Sequence, residues 1–329
     1  MPYKLKDPVR HKFKKKSYNK RDWKTYDQGL VNRGNITIWF SDEAVSGWHP
    51  PEDMMKKRGR QKQYTDLSIE TSLTLRLVFH LPLRQTEGFI SSIISMMKLY
   101  LACPDHTTLS RRGKVIRLSK KARSSSDSKG LIVVVDSTGV KVFGEKEWMN
   151  YKHGTKQRRT WRKLHLCINE DGEILSSTLT HHTDSDPSEV DALLNDVDEP
   201  IDEFIADGAY DADDTYKALK NHRERHAQEH PIKIIIPPND GFKKAQETDD
   251  PQRLHNIYVI EDKGKACWQK NENYGRRSRV ENTIYRYKST FGGKLKSRNF
   301  QNQITETQIA VRILNTMASL GMPKAEVSI

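Results

Sequence analysis

Two aspartates each follow a short apolar run that has the length and composition of a buried strand. Asp136 comes directly after residues 131–135, and Asp207 comes directly after residues 203–206. A carboxylate at the end of a buried strand is costly to desolvate unless a partner such as a metal ion compensates its charge. We therefore expect the two strands to be neighbours and the two acids to share a pair of cations. Because Asp also ends strands as an ordinary turn residue, either acid alone would be weak evidence.

A third acid lies in a basic segment that is predicted to be helical from about Arg276 to Thr290. Four residues at offsets of zero, three, seven and fourteen fall within about 60° of one another at about 100° per residue: Tyr274, Arg277, Glu281 and Lys288. An ordinary solvated helix would scatter its charges or pair opposite signs one turn apart. A helical face with one acid and two cations suits a site in which the cations bind phosphates and the acid binds a metal ion.

The spacing Y-x2-R-x3-E-x6-K of these four residues matches, without departure, the signature of the DDE transposases of bacterial insertion sequences. The chain resembles most closely the group called "IS five". Residues 135–139 (Val-Asp-Ser-Thr-Gly) resemble the first-Asp motif of that family, and residues 206–210 (Ala-Asp-Gly-Ala-Tyr) resemble its second. Residues 81–88 and 104–112 resemble its DNA-binding region. The resemblance covers about residues 28–320.

This resemblance implies an RNase H-like catalytic core in which Asp136, Asp207 and Glu281 hold two Mg²⁺ or Mn²⁺ ions. Hard divalent cations prefer oxygen ligands, so the donor set is chemically sensible. The implied activity is that of a DNA transposase, which binds terminal inverted repeats, cleaves the element ends and joins their 3′-hydroxyls to target DNA. The expected partners are double-stranded DNA and a second copy of the chain in a homodimer or larger synaptic complex, with neither a membrane nor a small-molecule substrate.

Further residues are candidates for DNA contacts. The resemblance assigns Tyr274, Arg277 and Lys288 to phosphates or a base near the cleaved end. The basic stretch 152–163 contains three more candidates, and a short helix that ends in two arginines contains another two: Lys156, Arg158, Arg159, Arg111 and Arg112. Within the basic stretch, Trp161 suits either stacking on a displaced base or a place in the core.

The elements around these residues predict an α/β fold: a mixed-sheet catalytic core preceded by a helix-turn-helix-like domain. Two helices, capped by Asp66 and Thr86, and a third, capped by Asp105, form the helical part; a plain three-helix bundle is the alternative. Short strands are expected at residues 36–40, 139–143, 163–169, 173–180 and 232–236. The predicted order is a basic arm (1–34), the helical domain (35–113), a basic Ser-rich linker (114–130), the catalytic domain (131–320) with a loop-rich insertion at about 238–273, and a tail (321–329).

Bulk composition agrees with a polyanionic partner. The net charge is +13, and binding to phosphates would release condensed counterions. The three cysteines form no CxxC pair, so a reducing cytoplasm is the simplest assumption, and we expect a cytoplasmic, nucleoid-associated bacterial protein. The amino-terminal residues lack the apolar stretch of a secretory signal, and the apolar stretch at 89–101 is too short and polar to span a bilayer.

Three alternatives remain open at this point. A nuclease with the same fold would hydrolyse DNA without joining it, and a catalytically silent repressor derived from a transposase would only bind DNA. A third possibility concerns zinc, since two histidines and two acids lie close together in a predicted loop: His181, His182, Asp184 and Asp186. That group lacks the spaced ligand pairs of a zinc site, so zinc is disfavoured.

Overall fold

The structure is a computed structural model that describes residues 23–51, 63–116, 118, 130–142, 161–239 and 250–321. These residues form two compact units. One contains the described residues up to Ile38 and from Thr316 onward, and the other is Trp39–Asn315. In the smaller unit, the Arg33 guanidinium at the end of helix α1 (Trp23–Arg33) donates to the Gly321 carbonyl (2.9 Å). Of the predicted basic arm, residues 1–22 lie outside the described part.

Residues 36–39 form helix α2 (Ile36–Trp39) and residue 40 is a bend, so the prediction of a strand at 36–40 is wrong. Helix α3 (Asp42–Ser46) follows. The Asn35 side chain accepts hydrogen bonds from both the amide (3.1 Å) and the hydroxyl (3.0 Å) of Thr37. Such local bonds from a side chain stabilise a turn and compete with the hydrogen bonds of a β-sheet. They explain why these β-branched residues do not form a strand.

Three helices in the region predicted to bind DNA pack together: α4 (Asp66–Val78), α5 (Leu83–Met96) and α6 (His106–Arg112). Each contributes a fully buried aliphatic side chain, Ile69, Ile90 and Leu109 respectively. As predicted, Asp105 caps α6, and its carboxylate accepts from the amides of Thr107 and Thr108 at 2.8 Å. The region thus has the helical arrangement that the sequence suggests.

The other two predicted caps are wrong. The cap of α4 is Thr65, whose hydroxyl accepts from the Ser68 amide (3.1 Å), so Asp66 is the first helical residue. Helix α5 begins one turn before Thr86, after Pro82. A proline has a fixed φ and no amide to satisfy, which suits a helix start. Because the Thr86 hydroxyl instead donates to the Pro82 carbonyl (3.0 Å), it lies within the helix.

A five-stranded mixed sheet forms the centre of the larger unit, in the order β3-β2-β1-β4-β5. Its strands are β1 (Leu131–Lys141), β2 (Trp161–Ile168), β3 (Ile174–His181), β4 (Ile201–Ile205) and β5 (Lys233–Ile235). Strands β1, β2 and β3 are antiparallel neighbours, whereas β4 and β5 continue the sheet in parallel with β1. Residues 139–141 belong to β1, so the separate strand predicted at 139–143 is wrong. This mixed α/β architecture is consistent with the predicted RNase H-like core.

Side chains alternate between the two faces of the sheet. On one face, Val133, Val135 and Phe204 belong to the main apolar core with helices α7 (Val190–Leu194) and α8 (Asp213–Arg225). The alternation therefore places Val134 and Asp136 on the opposite face. Helix α11 (Ser278–Phe291) packs against that face through its contacts with β1 and β2.

The segment between β5 and the final helices is helical, so the prediction that 238–273 is loop-rich is wrong for much of its length. It contains α9 (Pro251–Lys263) and α10 (Lys265–Asn271), while residues 240–249 lie outside the described part. The Gln252 side chain accepts from the Ile234 amide (2.8 Å) and donates to the Ile232 carbonyl (2.7 Å). Helix α9 thus provides hydrogen-bond partners for the Ile234 amide and the Ile232 carbonyl, which lie on the open edge of the sheet at β5.

Helices α11 (Ser278–Phe291) and α12 (Phe300–Ser319) are the last two helices of the described part, and residues 322–329 of the predicted tail lie outside it. Within the larger unit, the Thr305 hydroxyl donates to the Gly113 carbonyl (2.7 Å), and Arg312 pairs with Glu70. The helical region and the sheet therefore share one compact unit; the boundary predicted at 114–130 stays a prediction, because residues 119–129 lie outside the described part. Among the described helices, none combines the length and apolar character required to cross a membrane.

Candidate active site

Asp136 lies on β1, and Asp207 lies two residues beyond the end of the parallel strand β4. The register pairs Val134 of β1 with Ile205 of β4, and two further residues along each strand lead to the two aspartates. Strand β4 ends there, as expected, but β1 continues to Lys141 because it stays paired with β2. The prediction that Asp136 ends its strand is therefore wrong. The two acids lie side by side where β1 loses its parallel neighbour.

The backbone after β4 turns away sharply at Asp207. This aspartate caps a short 3₁₀ turn (Gly208–Tyr210), and its carboxylate accepts from the Ala209 amide (3.0 Å). A Cβ on Gly208 would lie 3.2 Å from the Pro237 carbonyl oxygen, so glycine suits the close approach of the two segments. One Asp207 oxygen is thus held by the backbone.

Arg277 joins Asp136 to Glu281. Its guanidinium lies 3.1 Å from Asp136 through Nη1 and contacts Glu281 through Nη2. The Asp136 side chain is 14% exposed, whereas that of Glu281 is 53% exposed. A fork-shaped cation can bind two carboxylates at once, so Arg277 connects the start of α11 to the centre of the sheet.

Burial raises the pKa of Asp136 to about 6. The Ser137 amide, which donates to its carboxylate (2.8 Å), and the charge of Arg277 both oppose that rise. The negative charges of Asp207 and Glu281 increase it. The three acids therefore repel one another electrostatically, as expected of a site that is to receive a cation.

Two family models, both described as "Transposase DDE domain", match the chain, one over residues 127–316 and the other over residues 31–145. The first covers more than half of the 329 residues and contains both aspartates and the whole of α11. The chain belongs to the DDE transposases. It is therefore a metal-dependent enzyme that cleaves DNA.

The carboxylates of this transposase suit a hard divalent cation, because they offer only oxygen ligands. Among the described residues, no three His, Cys, Asp or Glu side chains already converge on one point that could hold a metal ion. Instead, the Arg277 guanidinium takes up an oxygen of Asp136 and one of Glu281. A cation bound by these acids would have to compete with Arg277 for at least one of them.

Tyr274 belongs to a 3₁₀ turn (Tyr274–Arg277), and α11 starts only at Ser278, so the predicted single helical face is interrupted. The Tyr274 hydroxyl donates to the carbonyl of Ala206 (3.3 Å), the residue before Asp207. Burial raises the pKa of Tyr274 to about 12. Lys288 is half-buried, two turns beyond Glu281 on α11. The structure therefore brings Tyr274 and Arg277 to the aspartates through a turn rather than through a continuous helix.

The other predicted DNA contacts have different surroundings. Arg111 is exposed at the end of α6. Arg112 is used within the protein: it donates to the Tyr64 carbonyl (2.9 Å) and pairs with Asp66 (2.5 Å). The remaining three candidates, Lys156, Arg158 and Arg159, lie outside the described residues. Trp161, at the start of β2, is 43% exposed and packs its ring against His182.

Sequence reasoning missed a polar cluster next to Asp136. The Asp186 carboxylate accepts from the Ser137 hydroxyl (3.1 Å) and from the Lys163 ammonium (2.9 Å). It also lies 4.0 Å from Nδ1 of His165, a fully buried histidine whose Nε2 is 2.9 Å from the Thr180 hydroxyl. The sequence alone suggests Asp186 only as a disfavoured zinc ligand. Because its partners are far apart in sequence, no local spacing indicated the cluster.

Proposed function

We propose that this transposase binds the terminal inverted repeats of its own insertion sequence, cleaves the element ends and transfers the 3′-hydroxyl ends into target DNA. One observation carries the proposal: Asp136 on β1 and Asp207 just after the parallel strand β4 each lie two residues beyond the registered pair Val134 and Ile205, and Arg277 joins Asp136 to Glu281. Within the family, the spacing from Tyr274 to Lys288 supports assignment to the "IS five" group.

The proposed cofactors are two Mg²⁺ or Mn²⁺ ions, held by Asp136, Asp207 and Glu281. When bound, such ions activate a water or a DNA 3′-hydroxyl and stabilise the leaving oxygen. Asp136 is held by the sheet and Asp207 by its hydrogen bond from the Ala209 amide, whereas the exposed Glu281 side chain can adjust its position. The same carboxylates can therefore serve end cleavage and strand transfer, without a covalent bond between protein and DNA.

The residues around the acids bind and orient DNA in this proposal. Arg277 holds Asp136 and Glu281 before DNA and metal arrive, and its fork then suits a phosphate beside the cleaved bond. Lys288 contacts a second phosphate in this proposal, and Tyr274, whose hydroxyl donates to the Ala206 carbonyl, lies beside Asp207. Arg111 on α6 is exposed and suits a contact with the repeat farther from the cut.

Double-stranded DNA and a second copy of the chain are the proposed partners. The net charge of +13 supports binding to the DNA backbone. A homodimer or larger complex follows from the need to hold both element ends together during transfer. We place this activity at the nucleoid in the bacterial cytoplasm.

The test uses the purified chain and a labelled duplex that carries the inverted repeat flanking its own gene. Nicking at the repeat end is measured with Mg²⁺, with Mn²⁺ and with EDTA. Glu281→Gln should bind the repeat as the wild type does but should not nick it. Glu261→Gln, which changes an exposed glutamate on α9, is the matched control and should nick normally.

Two other functions are outcomes of the same assay. Metal-dependent nicking without any joined product in the presence of target DNA would identify a nuclease. Binding of the repeat without nicking under either metal would identify a DNA-binding repressor. Because the same carboxylates serve both steps in this proposal, we expect both cleavage and joining.

A further inference from the structure

A buried amide in α9 links the sheet to α10. Asn256, only 4% exposed, donates through Nδ2 to the Ile234 carbonyl of β5 (3.2 Å). Its Oδ1 accepts from the indole nitrogen of Trp268 (2.9 Å). The Asn256 amide therefore uses both its donor and its acceptor. An apolar residue at this position would leave the Ile234 carbonyl and the Trp268 indole N–H without these partners.

Trp268 connects Asn256 to the segment Tyr274–Glu281. It is fully buried, and its ring packs against Tyr274 with the ring centres 5.3 Å apart. The Tyr274 hydroxyl in turn donates to the carbonyl of Ala206, which directly precedes Asp207. The contacts thus run from β5 through Asn256 and Trp268 to Tyr274, and return to the sheet at the end of the neighbouring strand β4.

We propose that Asn256 and Trp268 are positioning residues of the transposase, which fix the segment Tyr274–Glu281 so that Arg277 and Glu281 reach Asp136. The proposal rests on the proposed catalytic role of Glu281 and deepens it. It gives the helical insertion between β5 and α11 a function, because this insertion leads directly into the catalytic helix.

The backbone around Trp268 explains why an anchor is needed. The segment enters α10 at Gly264 and leaves it near Asn273, both at positive φ (81° and 50°). These sharp changes of direction leave the 3₁₀ turn and the start of α11 without a continuous helix to orient them. A small rotation of α10 would therefore move Arg277, and displacements near 1 Å at an active site can lower a rate by about 100-fold.

The test compares Trp268→Phe and Asn256→Leu with the wild type, in the full chain. Trp268→Phe keeps an aromatic ring but removes the indole N–H, and Asn256→Leu removes both amide contacts. Tyr258→Leu is the control, since it changes an exposed aromatic on α9 of the same insertion. Melting temperature, repeat affinity, single-turnover nicking and hydrogen exchange of peptides covering 274–281 are measured for each.

We expect both variants to bind the repeat within about twofold of the wild type and to nick it roughly 10- to 100-fold more slowly. Exchange in 274–281 should rise while the sheet strands keep their protection. Combining Trp268→Phe with Tyr274→Phe should slow nicking little more than Trp268→Phe alone, because both act along one path. The control should match the wild type throughout.

The proposal is overturned if exchange in 274–281 stays at the wild-type level, or if it rises while nicking is unchanged. It is also overturned if nicking, affinity and protection of the whole sheet fall together, since that pattern reports general loss of structure. If the wild type itself does not nick, the proposed function fails separately. The exchange measurement alone then decides whether Asn256 and Trp268 hold the segment.

Discussion

Arg277 and Asp136 form an ion pair of 3.1 Å between the turn that precedes α11 and the middle of β1. The same guanidinium also contacts Glu281, one helical turn farther along the chain. The Arg277 side chain thus fixes the position of Asp136 on the sheet relative to that of Glu281 on α11. The strength of this link depends on the planar fork of arginine, which lysine lacks.

Arg277→Lys should therefore impair catalysis while preserving the fold. A lysine ammonium is a point charge that cannot hold both carboxylates in the same geometry, so we expect single-turnover nicking to fall by about 100-fold. The matched control is Arg279→Lys, because Arg279 is only two residues away, in the first turn of α11, but pairs with the exposed Glu170 (3.1 Å). Equal nicking by Arg277→Lys and Arg279→Lys would show that the fork geometry is not needed.

The helical and strand periodicities predicted much of this arrangement. The apolar run 131–135 and the capped helix after Asp105 are both present, since burial and capping are local signals. The assignment to the DDE transposases is also confirmed. The roles of Asp136, Asp207 and Glu281 stay predictions, which the ion pairs of Arg277 support by placing two of these acids beside one cation.

The features that the sequence could not predict depend on contacts between residues that are distant in the chain. Strand β1 extends past Asp136 because β2 pairs with it, and no residue near Asp136 encodes that pairing. The helices α9 and α10 are stabilised by tertiary contacts, such as those of Gln252 with β5, which outweigh a polar composition. Likewise, the contact of Asp186 with Ser137 joins a loop to the middle of β1, two segments that only the fold brings together.

Arg111 and Arg112 are adjacent in sequence, yet we expect different effects from their loss. Arg111→Ala should weaken repeat binding and reduce the slope of log affinity against log salt by about 1, as expected for one lost phosphate contact. Arg112→Ala should instead lower the free energy of unfolding by about 1–2 kcal/mol, because its contacts to Tyr64 and Asp66 are internal. Fluorescence anisotropy at several salt concentrations and urea unfolding separate the two effects. Identical salt slopes for Arg111→Ala and the wild type would remove Arg111 from the interface.

Gln252 should stabilise the edge of the sheet. Gln252→Leu leaves the Ile234 amide and the Ile232 carbonyl without their partner, so we expect a loss of about 2 kcal/mol in the free energy of unfolding. Gln269→Leu makes the same change at an exposed position on α10 and should cost little. Urea unfolding of both variants measures the difference. Equal stability of the two would mean that water or a rearranged side chain replaces the Gln252 contacts.

His165 should make the folded state less stable in mild acid. Burial lowers its pKa to about 4, against an ordinary value of 6.5, despite the nearby negative charge of Asp186. Between these two values the unfolded chain takes up a proton that the folded chain does not, so stability is lost as the pH falls. From pH 7 to pH 5 this single group should remove about 2 kcal/mol from the free energy of unfolding.

A comparison of variants isolates the contribution of His165 from that of the carboxylates, which titrate in the same range. His165→Gln can still hydrogen bond to Thr180 but takes up no proton, so its free energy of unfolding should decline less between pH 7 and pH 5 than that of the wild type. His255→Gln is the control, because that histidine is exposed on α9 and should leave the wild-type decline in place. Parallel declines in all three proteins, measured by urea unfolding, would mean that the folded state admits a proton at His165. Burial, assisted by the Lys163 ammonium, keeps the pKa of His165 low, which is why we expect the declines to differ.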